Sequence, residues 1–348
     1  MSADGIASIT ELTSRLSALA QNSEKTRSWP HEALDIYASH DGWRWGIGRE
    51  YGGLELDTTS RLTRYVAIAR GDMSLALYVT QHDGAADLLA QSENAGLRSR
   101  WLPRYARGEA LTTIGYSQLT TSRQGGAPAM RVSEVDGQFQ FDGVMPWVTG
   151  APHVTNVACG GTLDNGEQLL AVIDLSASGV SVKPASELSA LNSTFTCEVF
   201  CDGVKVTPDD VIAGPEPQVL KLRSTLRLLS VSATGIGHGL GMIDYIRDDP
   251  ITADAADEAS RQADEFYAAL LTLAAEDDPA QSAIDALRAR LSAWLVRLAG
   301  MTMVRAKGSG FRRGHVAQRL TDEALFFCVW SASGSVRDGI VADLSGQA

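Results

Sequence analysis

The sequence lacks most of the features that announce a function outright. It has four cysteines in 348 residues, too few and too scattered for a disulfide framework. Cys197 and Cys201, in "CEVFC", would share one face of a strand about 13 Å apart at ~3.3 Å per residue, too far for a bond between them. Buried free thiols are expected. Basic charge is scarce as well: 30 Lys and Arg against 42 Asp and Glu give a formal net charge of −12 and a pI near 5.0. A general nucleic-acid binder needs a basic face to neutralise phosphate, so the acidity is read as a solvated surface and no nucleic acid is expected. No apolar run approaches the roughly 20 residues that cross a bilayer. The opening "MSADGIASITELTSRLSALAQ" has no basic stretch leading into an apolar one, so no signal peptide is evident. It reads instead as an amphipathic helix with Ile9, Leu12, Leu16 and Leu19 on one face. No membrane and a cytoplasmic location are expected.

Familiar catalytic signatures are missing too. There is no G-x-S-x-G elbow and no P-loop, which argues against nucleophilic hydrolysis and nucleotide hydrolysis. The six histidines, His31, His40, His82, His153, His238 and His315, have no metal-ligand spacing among themselves or with the cysteines. The stretch "SATGIGHGLG" resembles a dinucleotide fingerprint only superficially. Its third small position is Leu240 in one frame and Met242 in the other, and no βαβ unit surrounds it. Small residues that let helices approach closely explain it better. "GSGFRRGHVAQR" reads as a solvated turn and helix start, with a phosphate clamp as the functional alternative.

What is present divides into three by periodicity. Residues 1 to about 110 carry apolar residues at helical spacing, as in "HEALDIYASHDGWRWGI" and "RLTRYVAIARGDMSLALYVTQHDGAADLLAQ". Residues 111 to 216 alternate and turn often. "MRVSEVDGQFQFDGV" and "TFTCEVFCDGVKV" read as short strands, and "VDGQF" and "LDNGE" as hairpins. After the Pro/Gly-rich "TPDDVIAGPEP", residues 217 to 348 return to long amphipathic helices of bundle type. The expected fold is α+β: an N-terminal helical domain, a middle β-barrel or sandwich domain and a C-terminal four-helix bundle. A cleft between β domain and helices is the natural place for a ligand.

Four stretches, in order along nearly the whole chain, resemble the acyl-CoA dehydrogenase superfamily of flavoproteins. "WPHEALDIYASHDGWRWGIGREYGGLELD" resembles that family's early helix and its Gly-Gly turn. "RSRWLPRYARGEALTTIGYSQLTTSRQGG" is similar to the entry into its β domain. "FDGVMPWVTGAP" resembles its W-I-T motif, and "KGSGFRRGHVAQRLTDEALFF" its late Gly-rich turn and helix. The resemblance implies FAD, with FMN behind it. Trp147 would lie against the flavin ring, with Val148 and Thr149 beside it and the Thr149 hydroxyl near the reactive nitrogen. An aromatic face offers a flat contact, and a donor stabilises charge as the ring is reduced. By position the resemblance carries over Tyr116, Ser117, Gln118 and Ser122 as the other flavin-contacting segment, although this stretch departs from the family's T-E-x-x-x-G-S-D pattern. Ser333 and Ser335 would contact the flavin from the far side.

Two departures bear on the reaction. Where the family carries a carboxylate that removes the α-proton, this chain has Ser331. Some members place that acid at the start of the first bundle helix, and here Arg227 falls in that region. Neither side chain is a base at neutral pH, and loss of general-base catalysis typically forfeits roughly 10²–10⁴ in rate. The family's R-x-x-F-G segment, which reaches the dinucleotide of a neighbouring subunit, is replaced by "YIRDDPITADAADEASRQ". The implied activity is therefore a flavin-dependent oxidoreductase acting on an acyl thioester such as acyl-CoA, or a related small molecule. The alternatives are a flavin monooxygenase of the same fold and a non-catalytic ligand- or partner-binding paralogue. An electron-transfer protein or flavin reductase and a homodimer or homotetramer are implied partners.

Overall fold

The computed structural model describes residues 3–120, 128–222 and 224–347. Five helices come first: α1 (Ala3–Thr26), α2 (His31–Ser39), α3 (Thr58–Gly71), α4 (Met73–Ala90) and α5 (Ala95–Ala106). Asp57, Asp72 and Asn94 cap α3, α4 and α5, each accepting a backbone N–H from three residues on, which satisfies a donor orphaned by the helix start. Nearly every residue of α4 is buried, the polar Gln81, His82 and Asp83 included, as in a helix enclosed on all sides.

Eight strands follow: β1 (Thr112–Gly115), β2 (Met130–Val135), β3 (Gln138–Val148), β4 (Asn156–Leu163), β5 (Gln168–Asp174), β6 (Val180–Val182), β7 (Cys197–Val206) and β8 (Val211–Glu216). They form one eight-stranded sheet in the order β6-β7-β3-β2-β4-β5-β8, with β1 on β4. The β2–β3 hairpin turns on Asp136 and Gly137 at φ 52° and 73°, the left-handed pair that a tight hairpin requires. Alternation sets the two faces. On β5, Leu169, Ala171 and Ile173 join a core made almost entirely of strand residues, together with Phe141, Met145, Val199 and the free thiols Cys159, Cys197 and Cys201. Leu170 and Val172 face the other way, onto α4 and α5 residues such as Leu89 and Tyr105. Burial pushes the Cys201 thiol up to about 12, so it is an inert part of the core.

The chain ends in α6 (Thr225–Arg247), α7 (Ala253–Ala274), α8 (Gln281–Ala306), α9 (Val316–Phe326) and α10 (Gly334–Leu344). These helices share one apolar core with the N-terminal ones: Leu62, Tyr65 and Ile68 of α3 pack with Leu229, Ile236, Leu291 and Leu295. The glycine stretch of α6 makes this possible. A Cβ on Gly237 would lie 2.2 Å from the Val66 carbonyl oxygen, and one on Gly239 would lie 2.2 Å from the Trp294 ring. The expected helix-packing role of "SATGIGHGLG" is thus observed.

Candidate cofactor site

The site is built where β1 and β3 meet. At β4, β1 pairs alongside Asn156–Cys159 and β2 pairs only from Thr162, so the chain leaves the sheet between them. His82 of α4 steadies the start of β1, its Nδ1 accepting the Thr112 N–H at 3.3 Å. Burial holds the imidazole neutral, with its pKa lowered to about 4. At the other end of β1, a Cβ on Gly115 would lie 2.4 Å from Met145 Sδ. Only glycine permits this approach of β1 to β3. It brings the turn at Tyr116–Leu119 against the segment that carries Trp147.

Trp147 owes its position to a break in the ladder. The β3–β7 register shifts between Met145 and Val148, at Pro146, which has no N–H to give. Such an irregularity re-aims side chains, and Trp147 emerges 53% exposed while its neighbours Met145 and Val148 are fully buried. Thr149, buried at the strand end, heads a chain of hydroxyls. Its Oγ1 lies 3.4 Å from Thr196 Oγ1, which is 2.9 Å from Thr194 Oγ1. Gly150, at φ 75°, turns the chain, and its N–H donates to the Thr194 carbonyl at 2.8 Å.

The turn after β1, which contacts β3, carries polar atoms without partners among the described residues. Tyr116 is 4% exposed, and its hydroxyl, Ser117 Oγ and Gln118 Oε1 are all buried without a hydrogen-bond partner among the described residues. Buried polar groups are ordinarily satisfied, so these three atoms are candidates for contact with a ligand. An exposed indole on β3 and such donors and acceptors on the turn that contacts this strand fit a flat, polar-edged ring system of the flavin type. Ser122 lies outside the described residues.

The remaining expected positions lie on the helical side. Ser331 is exposed, in the left-handed region at φ 50°, in the turn between α9 and α10. Ser333 caps α10 by accepting the Val336 N–H at 3.3 Å, and its hydroxyl also reaches Asp285 Oδ2 at 3.4 Å. Ser335 donates to the same carboxylate oxygen. The structure therefore sets the turn of Ser117 and Gln118 against β3, the strand that carries Trp147 and Val148, while the oxygens of Ser333 and Ser335 are held by α10 and α8. Sequence reasoning missed His82, Asp285 and Arg288. The histidine and the arginine each sit on an apolar helical stripe: Arg288 falls in line with Ile284, Leu287, Leu291 and Leu295. A polar residue on such a stripe is the signal that would have found them.

A concavity of about 250 Å³ lies between α2, the α5–β1 connection and the turn after Gly150, lined in part by Trp29, His31, Asp35, Trp43 and His153. His153 stacks on Trp29 with ring centroids 4.5 Å apart. Burial, then the neighbouring His31, lowers its pKa.

Comparison with known proteins agrees with this architecture. Residues 10–109 match the family model described as the acyl-CoA dehydrogenase N-terminal domain. A curated relative, the 3-(aryl)acrylate reductase of Clostridium sporogenes, is 21% identical over 236 residues, 65% of this chain and 62% of that protein. The match thus spans less than two thirds of the relative's length. The solved structure of a glutaryl-coenzyme A dehydrogenase in complex with glutaryl-CoA superposes with a TM-score of 0.85 at 16% identity, over 100% of this chain and 96% of the other. A dibenzothiophene monooxygenase from Paenibacillus superposes with a TM-score of 0.81 at 15% identity, over 99% and 97%.

Proposed function

We propose that this chain, a member of the acyl-CoA dehydrogenase superfamily by its N-terminal domain and its fold, is a flavin-dependent oxidoreductase that binds FAD at the junction of β1 and β3. The observation that carries the reading is the run of buried, unpartnered polar atoms at Tyr116, Ser117 and Gln118 beside the exposed indole of Trp147. Trp147 would cover a face of the ring, and Ser117 and Gln118 would hold its polar edge. Val148 and Thr149 would close the strand side, and Ser122, Ser333 and Ser335 are proposed as more distant contacts. When bound, the flavin supplies hydride or electron transfer. The protein's own part is to bind, orient and exclude water, in a site where hydrogen bonds gain strength from low polarity.

The substrate class proposed is an acyl thioester or a related small molecule. Ser331, at the position where the resemblance expects a carboxylate, is exposed and is no base. That favours a reaction in which no carboxylate must take a proton, and it keeps the monooxygenase reading alongside dehydrogenation. An electron-transfer protein or flavin reductase is the proposed redox partner. A homodimer or homotetramer is proposed through the C-terminal helices, supported by their exposed apolar residues Val304 and Val341, which such an interface would cover. Among the described residues, no helix is long and apolar enough to cross a membrane.

The visible spectrum of the purified protein, with and without added FAD, is the test. A bound flavin bleached anaerobically by an acyl-CoA marks a dehydrogenase. One bleached only by dithionite or a reductase, then forming an oxygen adduct, marks a monooxygenase. Failure to take up any flavin would sink the proposal.

A further inference from the structure

The concavity between α2, the α5–β1 connection and the turn after Gly150 holds about 250 Å³ and takes no residue from the candidate flavin site. One wall is a stripe of α2. His31, Leu34, Asp35 and Ala38 line it, at the i, i+3, i+4 and i+7 spacing of a single helix face. Trp29 and Trp43 supply aromatic walls, and both rings are fixed in place. Tyr37 and His82 meet the Trp43 ring in T-shaped contacts, with centroids 4.8 and 4.9 Å away. Gly108, at φ 65°, permits this seat, since a Cβ there would lie 2.9 Å from Trp43 Cδ1. Trp29 is held by Tyr78 at 5.0 Å and by the stacked His153 at 4.5 Å. Trp43 nonetheless stays half-buried, a partly open indole on a rigid mount.

Asp35 is the only carboxylate in this lining, and no lysine or arginine is part of it. Among the described residues Asp35 has no hydrogen bond or ion pair. The arginines that adjoin lining residues in sequence are engaged elsewhere: Arg44 donates to Asp41 at 2.8 Å, and Arg107 to Glu109 at 2.6 Å. Burial, then His31, lowers the His153 pKa, so this ring stays uncharged at neutral pH. An anion therefore finds no guanidinium or ammonium here. A cation finds a free carboxylate beside indole rings, which attract it through their π clouds. Among the described residues no three His, Cys, Asp or Glu side chains come together as metal ligands. The cation that fits is an organic one, whose carbon shell uses the aromatic walls. We propose that this concavity binds a small organic ammonium ion, with its charge against Asp35 and its carbon shell against Trp43. The volume lies below the roughly 300–1,000 Å³ of sites for drug-sized ligands, which limits the ion to a few carbons around nitrogen or one aromatic ring. Walls packed into place before the ligand arrives leave little ordering to oppose binding. The inference rests on none of the flavin contacts.

Ligand-observed NMR titration of the full-length protein tests this with two matched pairs of probes. Choline is set against dimethylbutanol, its uncharged carbon isostere, and benzylamine against benzyl alcohol. The charged member of at least one pair is expected to bind about fivefold or more tightly than its neutral partner. A preference in the first pair assigns a quaternary ammonium, and one in the second a primary amine. Asp35→Asn is expected to abolish the preference and to leave the neutral members unchanged. Trp43→Leu is expected to weaken both members of the preferred pair. Asp35 is exposed on α2, so its variant carries the test should Trp43→Leu not fold. Asp164 is an exposed acid in the β4–β5 turn, outside this lining. Asp164→Asn is expected to keep the preference, which separates the site from the general pull of a chain of net charge −12. Equal binding within both pairs, no binding of any probe, or a preference that survives Asp35→Asn overturns the proposal. So does a preference lost equally in Asp164→Asn.

Discussion

The Gln118 side-chain amide donates to the Gly160 carbonyl at 2.7 Å and to the Gly115 carbonyl at 2.9 Å. Gly160 lies on β4 between the residues paired with β1 and those paired with β2. One side chain thus fills the gap in a ladder where the backbone has left the sheet, and the same amide presents its free Oε1 to the candidate site. Gln118→Leu leaves two carbonyls of the sheet without that donor, so the fold is expected to lose about 1–3 kcal/mol by urea denaturation. An unchanged midpoint would show that the bridge contributes nothing.

Trp147 is expected to behave oppositely. It is half exposed and off the regular ladder, so Trp147→Ala is expected to change stability by under about 1 kcal/mol. FAD affinity, followed by flavin fluorescence, is expected to fall about tenfold or more, since a large flat contact disappears. Loss of stability with unchanged affinity would return Trp147 to an ordinary structural role.

How much of this was legible in the sequence depends on the range of the signal. Alternation and turn chemistry are local, and "VDGQF" became the observed hairpin with Asp136 and Gly137 in the left-handed region. The glycines of α6 were readable as packing residues because Leu240 and Met242 spoil both fingerprint frames. The Gln118–Gly160 bridge was not readable. It depends on where two strands end along a third, 42 residues away in sequence, and no local pattern encodes that. Arg288 was hidden for a related reason: its acceptor, the Trp330 carbonyl, lies 42 residues away in the turn between α9 and α10.

His82 gives the molecule an acid sensitivity of known sign. Its folded pKa is about 4, against 6.5 when unfolded, because burial disfavours the charged ring. Between those values the unfolded chain binds the extra proton, so stability is retained above pH 6.5 and lost as pH falls toward 4. The contribution is roughly 3 kcal/mol across the window, at 1.36 kcal/mol per pKa unit. Urea titrations of wild type and His82→Gln from pH 7.5 down to 4.5 are expected to show the wild-type stability falling more steeply. Parallel curves would mean that the buried ring does not resist protonation.

Two glycines, both inside helices, should answer alanine in opposite ways. A Cβ on Gly237 meets the Val66 carbonyl oxygen at 2.2 Å, and it meets Ala69 Cβ at 2.9 Å. Backbone cannot swing aside as a long side chain can, so α3 and α6 must separate and their shared core must loosen. Around Gly300, on the exposed side of α8, there is nothing within 4 Å. There alanine only restricts the unfolded chain and improves helix propensity. Gly300→Ala is expected to stabilise by about 0.5–1 kcal/mol. Gly237→Ala gains the same propensity but is expected to lose about 1–3 kcal/mol net to the overlap. Thermal unfolding of both variants decides it: similar shifts in one direction would show that propensity, not the close approach of α3, governs α6.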